Sequence, residues 1–199
     1  MTTKTVDKLL NQVNNIGQVA FTGGEPTLNS ELILYFIDEV VKRGITVDSF
    51  YMVTNGRSFN RDLFLRLVEF YGYCGEPEMC AVAISYDEFH TWGPEYKYEA
   101  MWKTLSFYSD GHDQRENKGF VRNVIREGNA SINGIGNRTL GINKLYASDG
   151  VFYEEFYVNA NGEINYDCDM SYKTQESNIL GTVDDIETVY SENVNEEAA

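Results

Sequence analysis

Val19-Ala20-Phe21-Thr22-Gly23-Gly24-Glu25-Pro26-Thr27-Leu28 is the stretch on which the reading of this chain turns. An apolar run stops at two glycines, a carboxylate and a proline. Glycine lets the backbone turn sharply and lets a ligand approach closely, because no Cβ intervenes. Proline then sets φ for the turn that follows. Asn29 or Ser30 caps a helix whose apolar positions, Leu32, Ile33, Phe36, Ile37, Val40 and Val41, recur at helical spacing. Lys42-Arg43-Gly44 closes that helix with positive charge and glycine, as its dipole favours. The local order is strand, glycine turn, helix.

The same order repeats outward. Val6, Leu9, Leu10 and Val13 predict a helix over residues 5–16, with Gly17 as its stop, and residues 18–22 form the first strand. Residues 49–54 read as the next strand, ending on Asn55-Gly56. A helix over about 60–71 buries Leu63, Phe64, Leu67 and Val68, and a strand over 80–85 follows. Tyr98, Met101, Trp102 and Leu105 predict a helix over 94–108, then a polar loop over 109–118 and a strand over 120–125. Strand and helix alternating in this way build a parallel sheet with right-handed crossovers. Ligands of such sheets sit at the carboxyl ends of the strands, where Gly23, Gly24, Glu25 and Pro26 fall together with Thr54-Asn55 and Ser85-x-Asp87. Glu25 is suited to accept charge-assisted hydrogen bonds from an ammonium group.

The pattern changes after Asn129. Gly134-x-Gly136 lacks the third glycine of a dinucleotide fingerprint, since Thr139 stands in its place. A hairpin is expected from arms at 152–158 and 163–170 around Asn159-Ala160-Asn161-Gly162. Ile164, Tyr166, Cys168 and Met170 share one face of its second arm, while Glu163, Asn165, Asp167 and Asp169 share the other, read as a solvated face. The expected organisation is an α/β core over 1–130, a loop and β-hairpin extension over 131–183, and an acidic tail over 184–199.

The Gly23-Gly24-Glu25-Pro26 motif at a strand end resembles that of the radical S-adenosylmethionine (SAM) family. Residues 125–130, Ile-Arg-Glu-Gly-Asn-Ala, are similar to the family's late Gly-x-Ala segment, so the resemblance spans about residues 16–130. It implies a truncated, radical-SAM-like partial (β/α) barrel with the C-terminal β-hairpin as an appendage; periodicity alone leaves a doubly wound sheet open. It further implies that Gly23, Gly24, Glu25, Pro26, Thr54, Asn55, Ser85 and Asp87 line a SAM pocket, Glu25 holding the methionyl amino group. The family's cluster loop, Cys-x3-Cys-x2-Cys, lies upstream of this motif, and here a single helix precedes it. Cys74, Cys80 and Cys168 all lie downstream. No [4Fe-4S] cluster is therefore expected from this chain, and radical chemistry is not expected of it as given. The hairpin is similar to an extension that carries auxiliary clusters in some members, but Cys168 alone supplies no such set.

Composition narrows the function classes. The 199 residues carry a formal net charge of −15, which argues against direct binding to a phosphate backbone. No apolar run approaches the ~20 residues of a membrane span, and the opening residues form no signal peptide, so a cytoplasmic location and no membrane association are expected. The odd cysteine count fits no disulfide framework, and Cys74 and Cys80 read as structural thiols. Of the two histidines, His90 stands near the Ser85-x-Asp87 strand end and His112 in a polar stretch; both read as non-catalytic. No Gly-x-Ser-x-Gly, His-Glu-x-x-His or phosphate-loop motif is present.

Two expectations follow. One is a cluster-less, non-catalytic protein that binds a protein partner with a basic surface, as an acidic inhibitor of a nucleic-acid-guided nuclease would in an anti-CRISPR role. The alternative is a fragment of a radical SAM enzyme that binds SAM and needs an upstream cluster segment. A SAM or nucleotide sensor is a third, minor idea.

Overall fold

The computed structural model describes residues 1–85, 98–110, 132–134, 147–148, 150–152, 155–168 and 170–192. Asp87, His90, His112, Asp169, the strand expected at 120–125 and the segment at 125–130 lie outside the described residues. The chain forms two compact units, one of Val13–Val121 and one of Met1–Gln12 with Arg122–Ala199.

The first unit is built on a parallel sheet of β1 (Asn15–Phe21), β2 (Thr46–Thr54), β3 (Ala81–Ile84) and β4 (Tyr108–Ser109), in the order β1-β2-β3-β4. Each strand neighbours the next in sequence, so among the described residues the sheet has no point at which strand order reverses. Helices α2 (Ser30–Arg43) and α3 (Arg61–Tyr73) connect its first three strands. They lie side by side, bridged by Arg66 and Asp38 at 2.9 Å. Gly44 ends α2 where the sequence places its stop, in the left-handed conformation at φ 68°. Asn60 caps α3 by accepting from the N–H groups of Asp62 and Leu63.

Partners in a parallel register share a face. Val19 and Phe21 therefore align with Phe50 and Met52, and Met52 and Thr54 with Val82 and Ile84. This is the helix-covered face. Phe21 meets Phe36 of α2 edge-on at 5.7 Å, and Phe50 lies between Phe70 of α3 and Phe107, both at 5.5 Å. The opposite face carries Gln18, Ala20, Ser49, Tyr51, Val53 and Ala83, of which Gln18 and Ala20 on the edge strand are exposed. Gln18 donates to the Ser49 hydroxyl across this face at 3.1 Å.

Two sequence expectations about helices differ from the structure. The first helix, α1, spans Thr3–Leu10, and the chain is already in β1 by Asn15, so Gly17 is a strand residue and stops no helix. Asn11, Asn14 and Asn15 explain this, because asparagine favours caps and turns over helix interiors. The helix expected to run to residue 108 contributes α4, Glu99–Trp102, and Tyr108-Ser109 is instead the fourth parallel strand. Phe107, the residue before it, is buried against Phe50 and Tyr71.

In the other unit, the second arm of the hairpin is shorter than expected. Strands β7 (Tyr157–Val158) and β8 (Glu163–Asn165) pair antiparallel around Asn159–Gly162, with Gly162 at φ 86°. Strand β9 (Gly181–Thr182) adds to β8, and β5 (Ala147–Ser148) pairs separately with β6 (Val151–Phe152). The alternation expected through residue 170 ends at Asn165. That residue is fully buried, not solvated, and its side-chain amide meets no hydrogen-bond partner among the described residues. In the same unit, helix α5 (Tyr172–Glu176) brings the buried Gln175 to Met170 O at 2.8 Å and to Asn159 at 3.3 Å. Residues 186–192, read in the sequence as part of an acidic tail, form helix α6, whose Ile186 and Val189 pack on Ile164. Leu9 of α1 joins that cluster, and Lys8 pairs with Asp184 at 2.6 Å. No helix among the described residues is long and apolar enough to cross a membrane.

Two outcomes test this packing. Phe50→Ala removes a ring that is fully buried between two others, and should cost about 3–5 kcal/mol in a denaturant melt. Cys74 supplies a pH test. Burial first, and Cys80 second, push its thiol up from the usual 9.0 to about 12. An unfolded chain loses that proton near 9.0 while the folded chain keeps it until about 12, so this stability is complete below pH 9 and falls as pH rises through that window. The melting temperature of Cys74→Ala should fall less steeply above pH 9 than that of the parent; equal slopes would remove Cys74 as the cause.

Candidate functional site

Strands β1, β2 and β3 end on the same edge of the sheet, and the residues after them meet there. Glu25 is the junction. Its Oε1 accepts from the Thr27 N–H at 3.0 Å, the Thr27 hydroxyl at 2.5 Å and the Thr54 hydroxyl at 2.7 Å. Its Oε2 accepts from the Asn55 N–H at 2.7 Å. The Thr27 hydroxyl has one hydrogen, engaged by Glu25, so Ser58 is the donor in the contact between Thr27 and Ser58. One carboxylate thus ties the turn after β1 to the end of β2 and to the loop that follows.

Each motif residue has a distinct local role. Gly23 sits at φ 106°, a conformation that disfavours any side chain. Gly24 is different: its φ is ordinary, it is exposed, and a Cβ there would meet nothing within 4 Å. The fold requires glycine at 23 and leaves glycine at 24 unexplained. Pro26 is buried and opens a single 3-10 turn, Pro26–Asn29, for which Glu25 is the cap. Ser30 then anchors α2 by donating to Thr27 O at 2.6 Å.

Thr54 is 1% exposed; besides donating to Glu25 it accepts from the Gly56 N–H at 3.2 Å. Asn55 turns its side chain back to accept from Arg57 N at 2.9 Å. Gly56, at φ 68°, lies against Ile84, where an added Cβ would stand 3.1 Å from Cγ2. Ser85 joins through its backbone, donating to Thr54 O at 2.9 Å. Glu25, Thr54, Asn55 and Ser85 are therefore brought together as the sequence led one to expect, and Asp87 lies outside the described residues.

Thr27 and Ser58 were missed. Thr27 stands two residues from Glu25, but nothing in the sequence distinguishes its hydroxyl from any other helix-start threonine. Ser58 is 31 residues from Thr27, and only the packed turn joins them. A surface depression beside this junction is lined by Thr27, Leu28, Asn29, Ser30, Glu31 and Asn60; the two glycines do not line it.

The electrostatic consequence bears on ligand choice. A carboxylate offers about four lone-pair directions. Three donors crowd Oε1 and one engages Oε2, which leaves Oε2 the single direction open to an outside ammonium. Two of the three cysteines lie away from this strand-end junction. Cys80 is buried just before β3, at the opposite end of a strand that spans about 13 Å, and Cys74 is its hydrogen-bonded neighbour. Among the described residues, no group of three or more His, Cys, Asp or Glu is placed to hold a metal ion.

These roles separate by substitution. Glu25→Ala strands two hydroxyls and two backbone donors, and should lower stability by about 2–4 kcal/mol. Gly23→Ala should cost about 1–2 kcal/mol through its positive φ. Gly24→Ala should stay within about 0.5 kcal/mol of the parent. Chemical denaturation of the three variants measures all of this, and a large loss at Gly24 would show that the fold does need glycine there. Compared with known proteins, the chain matches no family model, no curated protein and no solved structure.

Proposed function

We propose that this chain acts by binding a protein partner and performs no catalysis of its own. The partner class that fits is a protein with a basic groove, such as the nucleic-acid channel of a guided nuclease, which the chain would inhibit by occupying it. The finer fold in this reading is a truncated (β/α) barrel of radical SAM type without its cluster loop. The sequential strand order β1-β2-β3-β4 supports barrel-type winding over double winding, which needs a reversal of order.

The observation that carries the reading is the state of Glu25. The carboxylate that a SAM-binding site would turn toward an ammonium is held by four donors of its own chain. The motif has become a structural bracket. The net charge of −15 supplies the complementary argument, because a strongly acidic surface speeds encounter with a basic one and repels nucleic acid itself.

Gly24 favours a second reading. Its open, unhindered backbone at a strand end is what a close-lying ligand needs, as in a SAM-binding fragment of a larger enzyme or a SAM sensor. One pair of measurements separates the two. The protein is titrated into a guided nuclease holding fluorescent DNA, at low and at high salt, and separately titrated with SAM in a calorimeter. The binding reading expects DNA release that weakens with salt, and no heat from SAM. Heat from SAM that disappears in Gly24→Ala, with the melt unchanged, would establish the second reading. Glu25→Ala is the poorer probe, since its structural cost would mimic a loss of binding.

A further inference from the structure

Among the described residues, strand β1 is one edge of the parallel sheet, and its outer side is unusually plain. Val82 donates its N–H to Phe107 O, toward β4, and Ser85 donates to Thr54 O. The intervening β3 residues therefore bond β2 through Met52 and Thr54, and Ser49 and Tyr51 turn the other way, toward β1. In a parallel ladder Tyr51 bonds the residues flanking its partner, Ala20, and Ser49 those flanking Gln18. Gln18 and Ala20 are thus left with their N–H and C=O groups facing outward. Outside the β1–β2 ladder, no backbone hydrogen bond among the described residues reaches them.

Proteins guard such edges with charge, proline or short length. The seven residues of β1, Asn15-Ile16-Gly17-Gln18-Val19-Ala20-Phe21, contain no charged residue and no proline, and the side chains of Gly17, Gln18 and Ala20 are small or polar and exposed. A row of unpaired amides has one complementary chemistry, the backbone of an extended peptide. Charge then selects among peptides. A second copy would carry the same net charge of −15 and be repelled, whereas a basic segment is drawn to the acidic chain.

We propose that the outer edge of β1 is a docking edge that takes up an extended, positively charged segment of a partner protein as an added strand, paired through Gln18 and Ala20. This rests on the reading that the protein acts by binding a basic partner, and adds to it where and in what conformation the partner binds.

The test uses the full chain and a capped peptide of alternating Lys and Val, about as long as β1. Its controls are a fully N-methylated twin of equal charge and an analogue with Glu in place of Lys. Two variants accompany them: Ala20→Pro, which removes an outward N–H at a position where an edge strand tolerates proline, and Ala20→Lys, which adds a guarding charge to an exposed site. The expected result is binding of the Lys peptide that weakens at least about tenfold on N-methylation and in both variants, with melts unchanged. Equal binding of the Lys peptide and its N-methylated twin would overturn the edge proposal while leaving the basic-partner reading intact. No binding of the Lys peptide, with the nuclease still inhibited, would overturn the edge proposal in the same way. Sedimentation that shows a dimer abolished by Ala20→Pro would assign the edge to a second copy and overturn it as well.

Discussion

The Glu25 carboxylate holds the candidate site together. A glycine turn at the end of a parallel strand has little to fix it, because two glycines remove side-chain packing and one of them sits at positive φ. Four donors converging on one carboxylate replace that packing. They join the turn after β1, the cap of the following 3-10 turn and the residue after β2, and Thr54 passes the connection to Ser85 through its carbonyl. Remove the carboxylate and the hydroxyls of Thr27 and Thr54 and the Asn55 N–H lose their partner together, at a site where Thr54 has almost no access to water.

That bracket also limits what the site can do. A carboxylate makes charge-assisted hydrogen bonds along the directions it has to offer, and here all but one are turned inward. The neighbouring Gly24 keeps its freedom. A motif that resembles a cofactor site therefore divides, residue by residue, into parts the fold uses and one part it does not.

The sheet behind the site has two unlike faces. One is closed by aromatic packing, with Phe50 between Phe70 and Phe107 and Phe21 against Phe36. The other bears Gln18, Ala20, Ser49, Tyr51, Val53 and Ala83, and at β1 it leads, among the described residues, to an edge without charge or proline. Parallel register makes this division: partners across the ladder share a face, so one strand's pattern propagates to the next. The Ile164 cluster of the other unit shows the same economy of apolar residues, since Ile186 and Val189 complete it from a segment rich in acidic residues.

Periodicity and punctuation made α2, α3 and the strand cores legible, because Gly44 and Asn60 act locally and their signals lie beside the elements they end. The carboxyl-end location of Glu25, Thr54, Asn55 and Ser85 was legible for the same reason: strand ends are read from the strands themselves. Long-range packing decided the rest. Tyr108-Ser109 is a strand because β3 offers an unpaired edge, not because two residues carry a strand pattern. Asn165 is buried in the folded chain, which the alternation of its strand cannot foresee. The sequence by itself determined the strand–turn–helix order, the acidity and the residues that meet at the strand ends. Only the tertiary structure decided that Glu25 faces its own chain, since donors 2, 29 and 30 residues away converge on it through folding alone.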